Sequence, residues 1–184
     1  MDIRGGNISV TQTEADWLVV SVTEPVEITG ALEKLDHALG GLVMRLKASN
    51  DLTGKLASII PLRGVTGIAA RRLLFVGLGK AEELTAGRLD KALVTAARAI
   101  SDKPATRVAF VVPSSSVGVI SPSKFACATA VAIQVGSLGQ DLFRTERNRY
   151  PFASVEIISA DGGSPGLGDA IQRGRIVGQA INLT

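Results

Sequence analysis

Residues Arg72-Leu73-Leu74-Phe75-Val76-Gly77-Leu78-Gly79 form a nearly continuous apolar run. Such a strand shows no polar alternation, so it needs cover on both faces, as a central strand of a parallel sheet has. Other strand-like runs are Asp16-Trp17-Leu18-Val19-Val20-Ser21-Val22, ended by Glu24-Pro25, then Leu56-Ala57-Ser58-Ile59-Ile60, Val108-Ala109-Phe110-Val111-Val112-Pro113 and Val155-Glu156-Ile157-Ile158. Ile8-Ser9-Val10 alternates and is expected to pair with the first of these.

Helical patterns stand between the strands. Thr29 offers an N-cap to a helix in which Leu32, Leu35, Leu39, Leu42, Val43 and Leu46 recur at helical spacing, and Gly40-Gly41 predicts a bend or close packing within it. Thr85 caps a second helix with Leu89, Ala92, Leu93, Ala96, Ala97 and Ile100 on one stripe, stopped by Asp102-Lys103-Pro104. Ser121-Pro122 opens a third, running from Ser123 to Leu138, apolar almost all round and therefore expected to be well covered. From Asp169 a last helical pattern carries Ile171, Gly174, Val177, Gly178 and Ile181 toward Thr184 with no C-cap. That pattern fits equally a frayed terminus and a helix that continues into a further segment. Strands alternating with helices predict an α/β domain: a mixed, largely parallel sheet with helices on both faces.

Composition narrows the chemistry. A chain of 184 residues fits one domain. One cysteine, Cys127, excludes a disulfide framework, and with one histidine, His37, the usual zinc sites are excluded too. Twenty basic against 17 acidic side chains leave a net charge of +3, too small and too evenly spread to imply nucleic acid. The N-terminus lacks the apolar segment of a secretory signal, and no apolar run reaches the ~18 residues of a membrane helix. A cytoplasmic location is expected.

Candidate ligand-binding residues are few. Gly77, Gly79 and Lys80 end a strand where α/β sheets usually bind ligands. The spacing of a nucleotide-phosphate loop is missing, however, and Glu82 stands where a dinucleotide fingerprint needs its third glycine. The plainer reading is a tight glycine turn. Cys127 reads as a buried structural thiol and His37, beside Asp36, as a solvated side chain. No serine lies in a Gly-x-Ser-x-Gly setting, and no carboxylates cluster at metal-ligand spacing. Arg144, Arg147 and Arg149, with Phe143 and Tyr150, make the densest basic patch: a phosphate contact, a solvated loop or a subunit contact. No catalytic or metal-binding residue follows from the residues themselves.

Taken together, the strand Arg72–Lys80, the helix bearing Ala96-Ala97-Arg98-Ala99, and the Ala-rich helix ending Gly136-Ser137-Leu138-Gly139 resemble the N-terminal domain of leucyl aminopeptidases, the cytosol aminopeptidase family of metallopeptidases. The closing stretch Gly174-Arg175-Ile176-Val177-Gly178-Gln179-Ala180-Ile181-Asn182-Leu183-Thr184 is similar to that family's linker helix. The family signature Asn-Thr-Asp-Ala-Glu-Gly-Arg occurs nowhere in the chain, so no catalytic residue or metal ligand carries over. The tyrosine and lysine usual in the aromatic and basic segment are replaced by Asp141-Leu142-Phe143-Arg144.

The resemblance implies a macro-domain-like, three-layer accessory domain over residues 1–168. Residues 169–184 would start a linker to a C-terminal catalytic domain. There two divalent ions, zinc or manganese, would activate water and release N-terminal amino acids from peptides. It also implies a homo-oligomer, the family's hexamer. Two other readings stand beside it: a nucleotide or ADP-ribose binding module, motivated by the Val76–Lys80 turn, and a DNA-binding domain using the three arginines.

Overall fold

A computed structural model describes residues 1–138, 149–160 and 166–182. They build one six-stranded sheet in the order β1-β6-β5-β2-β4-β3. Its strands are β1 (Asp2–Gly6), β2 (Trp17–Glu24), β3 (Ile59–Arg63), β4 (Arg72–Lys80), β5 (Arg107–Val112) and β6 (Ser154–Ser159). Every pairing is parallel except the edge pair β3–β4. This is the α/β class that the alternation of strands and helices predicts.

The two-residue period of β4 divides the core. Leu74, Val76 and Leu78 face one side, against helices α3 (Ala86–Ile100), α4 (Pro122–Leu138) and α5 (Leu167–Asn182). Leu73 and Phe75 face the other, against α1 (Ala31–Ala38) and α2 (Leu42–Ala48). The exposed edge strand β3 carries Pro61, which has no N–H to offer a further strand.

Four expectations are corrected. Ile8–Val10 forms no strand; the sheet edge is β1, paired with β6 across most of the chain's length. The first predicted helix is two helices, because Gly40 (φ +63°) and Gly41 (φ +78°) both take left-handed conformations that a continuous right-handed helix excludes. Its N-cap is Gly30, not Thr29, and no side chain caps it. The strand expected at Leu56–Ile60 begins at Ile59: residues 54–58 still bond to the backbone of β4, but Ala57 takes a left-handed conformation (φ +59°) in a turn closed by Ser58 N–H on Lys55 O (2.9 Å), which breaks the ladder. The second of the two helices gains a cap that spacing alone hides: buried Asp36, on α1, accepts the N–H of Met44 at 3.0 Å.

Asp16 ties together the amino-terminal ends of the central strands. One carboxylate oxygen accepts N–H bonds from Thr106 (2.8 Å) and Arg107 (3.1 Å), and Arg71 lies 3.5 Å from the other. Burial pushes its carboxyl up, but the two amide donors and the neighbouring Arg71 and Arg107 outweigh this and hold it below the usual aspartate value. A carboxyl lowered by folding contributes stability that is present above its unfolded value and is lost as pH falls through the folded one. Asp16→Ala is therefore expected to destabilise the domain by about 2 kcal/mol at pH 7, with the gap to the parent narrowing below pH ~4. Urea denaturation at pH 7 and pH 3 measures it.

Candidate functional site

The glycine turn at the end of β4 holds a polypeptide segment. The N–H of Gly77 donates to Ser58 O (2.8 Å), that of Gly79 to Gly54 O (2.9 Å), and Gly77 O accepts from Ala57 N (2.8 Å). The N–H groups that would cradle a phosphate are thus directed at carbonyls. A Cβ at Gly77 would fall on the Lys55 carbonyl oxygen, which is why glycine stands there. Lys80 is exposed and pairs with Glu83 at 3.7 Å, and Glu83 also binds Arg88. Arg88, through its hydrogen bond and its charge, holds the Glu83 carboxyl below its usual value.

Of the basic patch, Arg144 and Arg147 lie outside the described residues. Arg149 reaches the end of α3, donating to Arg98 O (2.8 Å) and Ser101 Oγ (3.4 Å). A guanidinium at a helix C-terminus satisfies carbonyls left without intrahelical partners. His37 is exposed on α1, whereas Cys127 on α4 is half-buried and lines a groove, less enclosed than expected. The two lie on helices covering opposite faces of the sheet. Among the described residues no three His, Cys, Asp or Glu side chains stand together as a metal site would require.

At the carboxyl ends of β2 and β5 there is a cleft of about 200 Å³, floored by Val20, Val22 and Val111 and rimmed by Thr29, Ser114 and Glu27. It sits between two neighbouring strands whose onward connections diverge, the usual ligand position in α/β sheets. The uncapped start of α1 borders it, but the Glu27 carboxylate in its wall opposes an anionic guest.

The helix layer behind the other face is packed through glycines. A Cβ at Gly136 would meet the Ala97 side chain of α3 at 2.6 Å. On its other side α4 meets α5 through Gly174 and Gly178, where added Cβ atoms would strike the Cys127 carbonyl and the Gln134 side chain. Buried Gln134 donates to Gly174 O (3.4 Å) and Arg175 O (3.2 Å), joining the two helices by polar bonds as well. Helical spacing turns Ala128, Val131 and Val135 of α4 outward, all half-buried despite the all-round cover expected of this helix. Beside them α5 presents Ile176 (58% exposed) and Val177 (47%). A groove of about 310 Å³, lined by Leu89, Cys127, Ala128 and Arg173, opens next to this face.

The family model described as "Cytosol aminopeptidase family, N-terminal domain" matches residues 19–147. A probable cytosol aminopeptidase of Koribacter versatilis is 27% identical over 201 aligned residues, which take in 100% of this chain and 39% of the relative. One from Cupriavidus pinatubonensis is 38% identical over 103 residues, 56% of this chain and 20% of the relative. The chain thus spans about two-fifths of the length of the curated relative that it matches throughout. Among solved structures, a tomato leucine aminopeptidase variant superposes with a TM-score of 0.79 at 23% identity, covering 100% of this chain and 37% of that one. A bottromycin maturation enzyme, BotP, solved with manganese, gives 0.63 at 17% identity over 90% of this chain and 30% of that one. At these identities the structural matches concern the fold.

Proposed function

Because the chain belongs to the cytosol aminopeptidase family, as its N-terminal domain, we propose that it is the non-catalytic accessory domain of a cytosolic leucyl aminopeptidase. On this reading residues 1–168 form the domain and residues 169–184 begin the helix that leads into a C-terminal catalytic domain. The carrying observation is the family match over residues 19–147, in a chain that spans 39% of a full-length relative. The whole enzyme would release N-terminal amino acids from peptides as a homo-oligomer, the family's hexamer.

Two divalent ions, zinc or manganese, would polarise the scissile carbonyl and activate water in the catalytic part. This chain's donors do not fit such a pair: its one histidine and one cysteine stand apart, and its described carboxylates form no cluster. Its own contribution is a folded mount for that part. The nucleotide and DNA readings have less support, since Gly77 and Gly79 spend their N–H groups on carbonyls and Arg149 is engaged at the end of α3.

The expected result is that the 184-residue chain leaves leucine p-nitroanilide intact with or without added manganese or zinc, while the product of the whole coding region hydrolyses it. Turnover by the 184-residue chain, or a coding region that stops at Thr184, overturns the proposal.

A further inference from the structure

We propose that the outward face of α4 and α5, centred on Ile176 and Val177 and continuing over Ala128, Val131 and Val135, is the seat of the catalytic domain. The proposal deepens the reading above and rests on it. Three observations meet at this face.

The first is the pattern of α5. A helix that packs on one side needs one apolar stripe, and α5 already has it: Leu167, Ala170, Ile171, Gly174 and Gly178 are buried. Ile176, Val177 and Ala180 make a second, outward stripe, turned roughly 130° from the first, with Arg173 the one charge among them. Two apolar faces on one helix call for two partners, and among the described residues only the inward one has its partner.

The second is the surface of α4. Glycine contacts draw α4 close to both neighbours, and its outward residues between Lys124 and the end of the helix are alanine and valine. The result is a shallow apolar trough continuous with the stripe on α5, with the 310 Å³ groove at one end. Ridges of another element would fill such a trough between Lys124 at one end and Arg173 on its α5 side.

The third is position along the chain. The family model places this domain at the N-terminal side, and the relative matched over the whole of this chain has more than half of its length left over. Ile176 and Val177 lie within six residues of Asn182, the last residue of α5. A domain that follows would emerge beside this face. The cations at the trough, Lys124 and Arg173, define the complementary surface: an apolar ridge edged with carboxylates.

The test uses the protein made from its whole coding region. In a Cys127→Ser background, a Val177→Cys variant and, separately, a Glu33→Cys variant on the opposite face of the sheet are labelled with a maleimide, each against its urea-unfolded rate. The cysteine at 177 is expected to react at least ~100-fold more slowly than its unfolded reference, and that at 33 within a few fold of its own. Adding Ile176→Glu should speed labelling at 177 at least tenfold (about 1.4 kcal/mol less protection). If the enzyme hydrolyses leucine p-nitroanilide but position 177 labels as freely as position 33, the docking face is wrong and the function stands. If it hydrolyses nothing, the functional reading itself falls. Ala180→Cys repeats the measurement on the same stripe should the first variant fold poorly.

Discussion

Gly77→Val is expected to cost the domain about 4 kcal/mol or more, a fall of roughly 10 °C or more in the thermal midpoint for a chain of this size. Gly77 lies in β4, between two layers of core, and the segment 54–58 crosses directly over it. An added Cβ would fall on the Lys55 carbonyl oxygen, 2.6 Å from Ser58 Oγ and 2.7 Å from the Gly54 carbonyl carbon. Two of these are backbone atoms, and the serine is itself tied to Lys55 O at 2.7 Å, so no flexible side chain can swing away. Relief requires moving the whole crossing segment, which breaks the bonds from Gly77 and Gly79. Gly87→Ala is the control: it adds a Cβ near the start of α3 with nothing within 4 Å, and should be neutral or stabilising by up to about 1 kcal/mol. Differential scanning calorimetry of both variants separates close approach from a general intolerance of change at glycine. Equal midpoints for Gly77→Val and the parent would refute the account.

Gly174→Val should rank next, at about 3 kcal/mol, with a different signature. Its Cβ would strike the Cys127 carbonyl and come within 2.8 Å of the Ala130 side chain, forcing α5 off α4 while the sheet and the α1–α2 face stay packed. The loss should therefore be local as well as global. Hydrogen exchange in α4 and α5 should quicken under conditions where β2 and β4 remain protected. Uniform quickening over all elements, or none, contradicts the idea that this glycine acts through the helix pair.

The strands most readable from sequence are those with cores on both sides. Arg72–Lys80 and Arg107–Val112 announce themselves because every residue in their centres is buried, and α3 because its cap and stripe are both complete. β1 is illegible for the converse reason: Asp-Ile-Arg-Gly-Gly has one buried side chain, and its partner β6 lies about 150 residues away. The order of strands is likewise a long-range property that no local pattern carries. Among the candidate site residues, the glycines and Arg149 are recognisable as special, but what they serve depends on neighbours distant in sequence: residues 54–58 for Gly77 and Gly79, the end of α3 for Arg149. The outward stripe of α5 is present in the sequence as Ile176 and Val177. Only the contacts of Gly174 and Gly178 with α4 distinguish it from an inward one.

The glycine contacts on either side of α4 have a mechanical consequence. Backbones seated this closely cannot slide by small steps, because Gly174 and Gly178 are four residues apart and the next register that returns a glycine to the same place is about 6 Å away. A helix of 16 residues held in this manner behaves as a stiff strut roughly 24 Å long, anchored against the sheet near Gly5 at one end and tied to α4 at the other, where Asn182 Nδ2 donates to Gln134 O (3.4 Å). Whatever is joined to its carboxyl end inherits a fixed point of departure and a fixed heading, as a flexible tether could not provide.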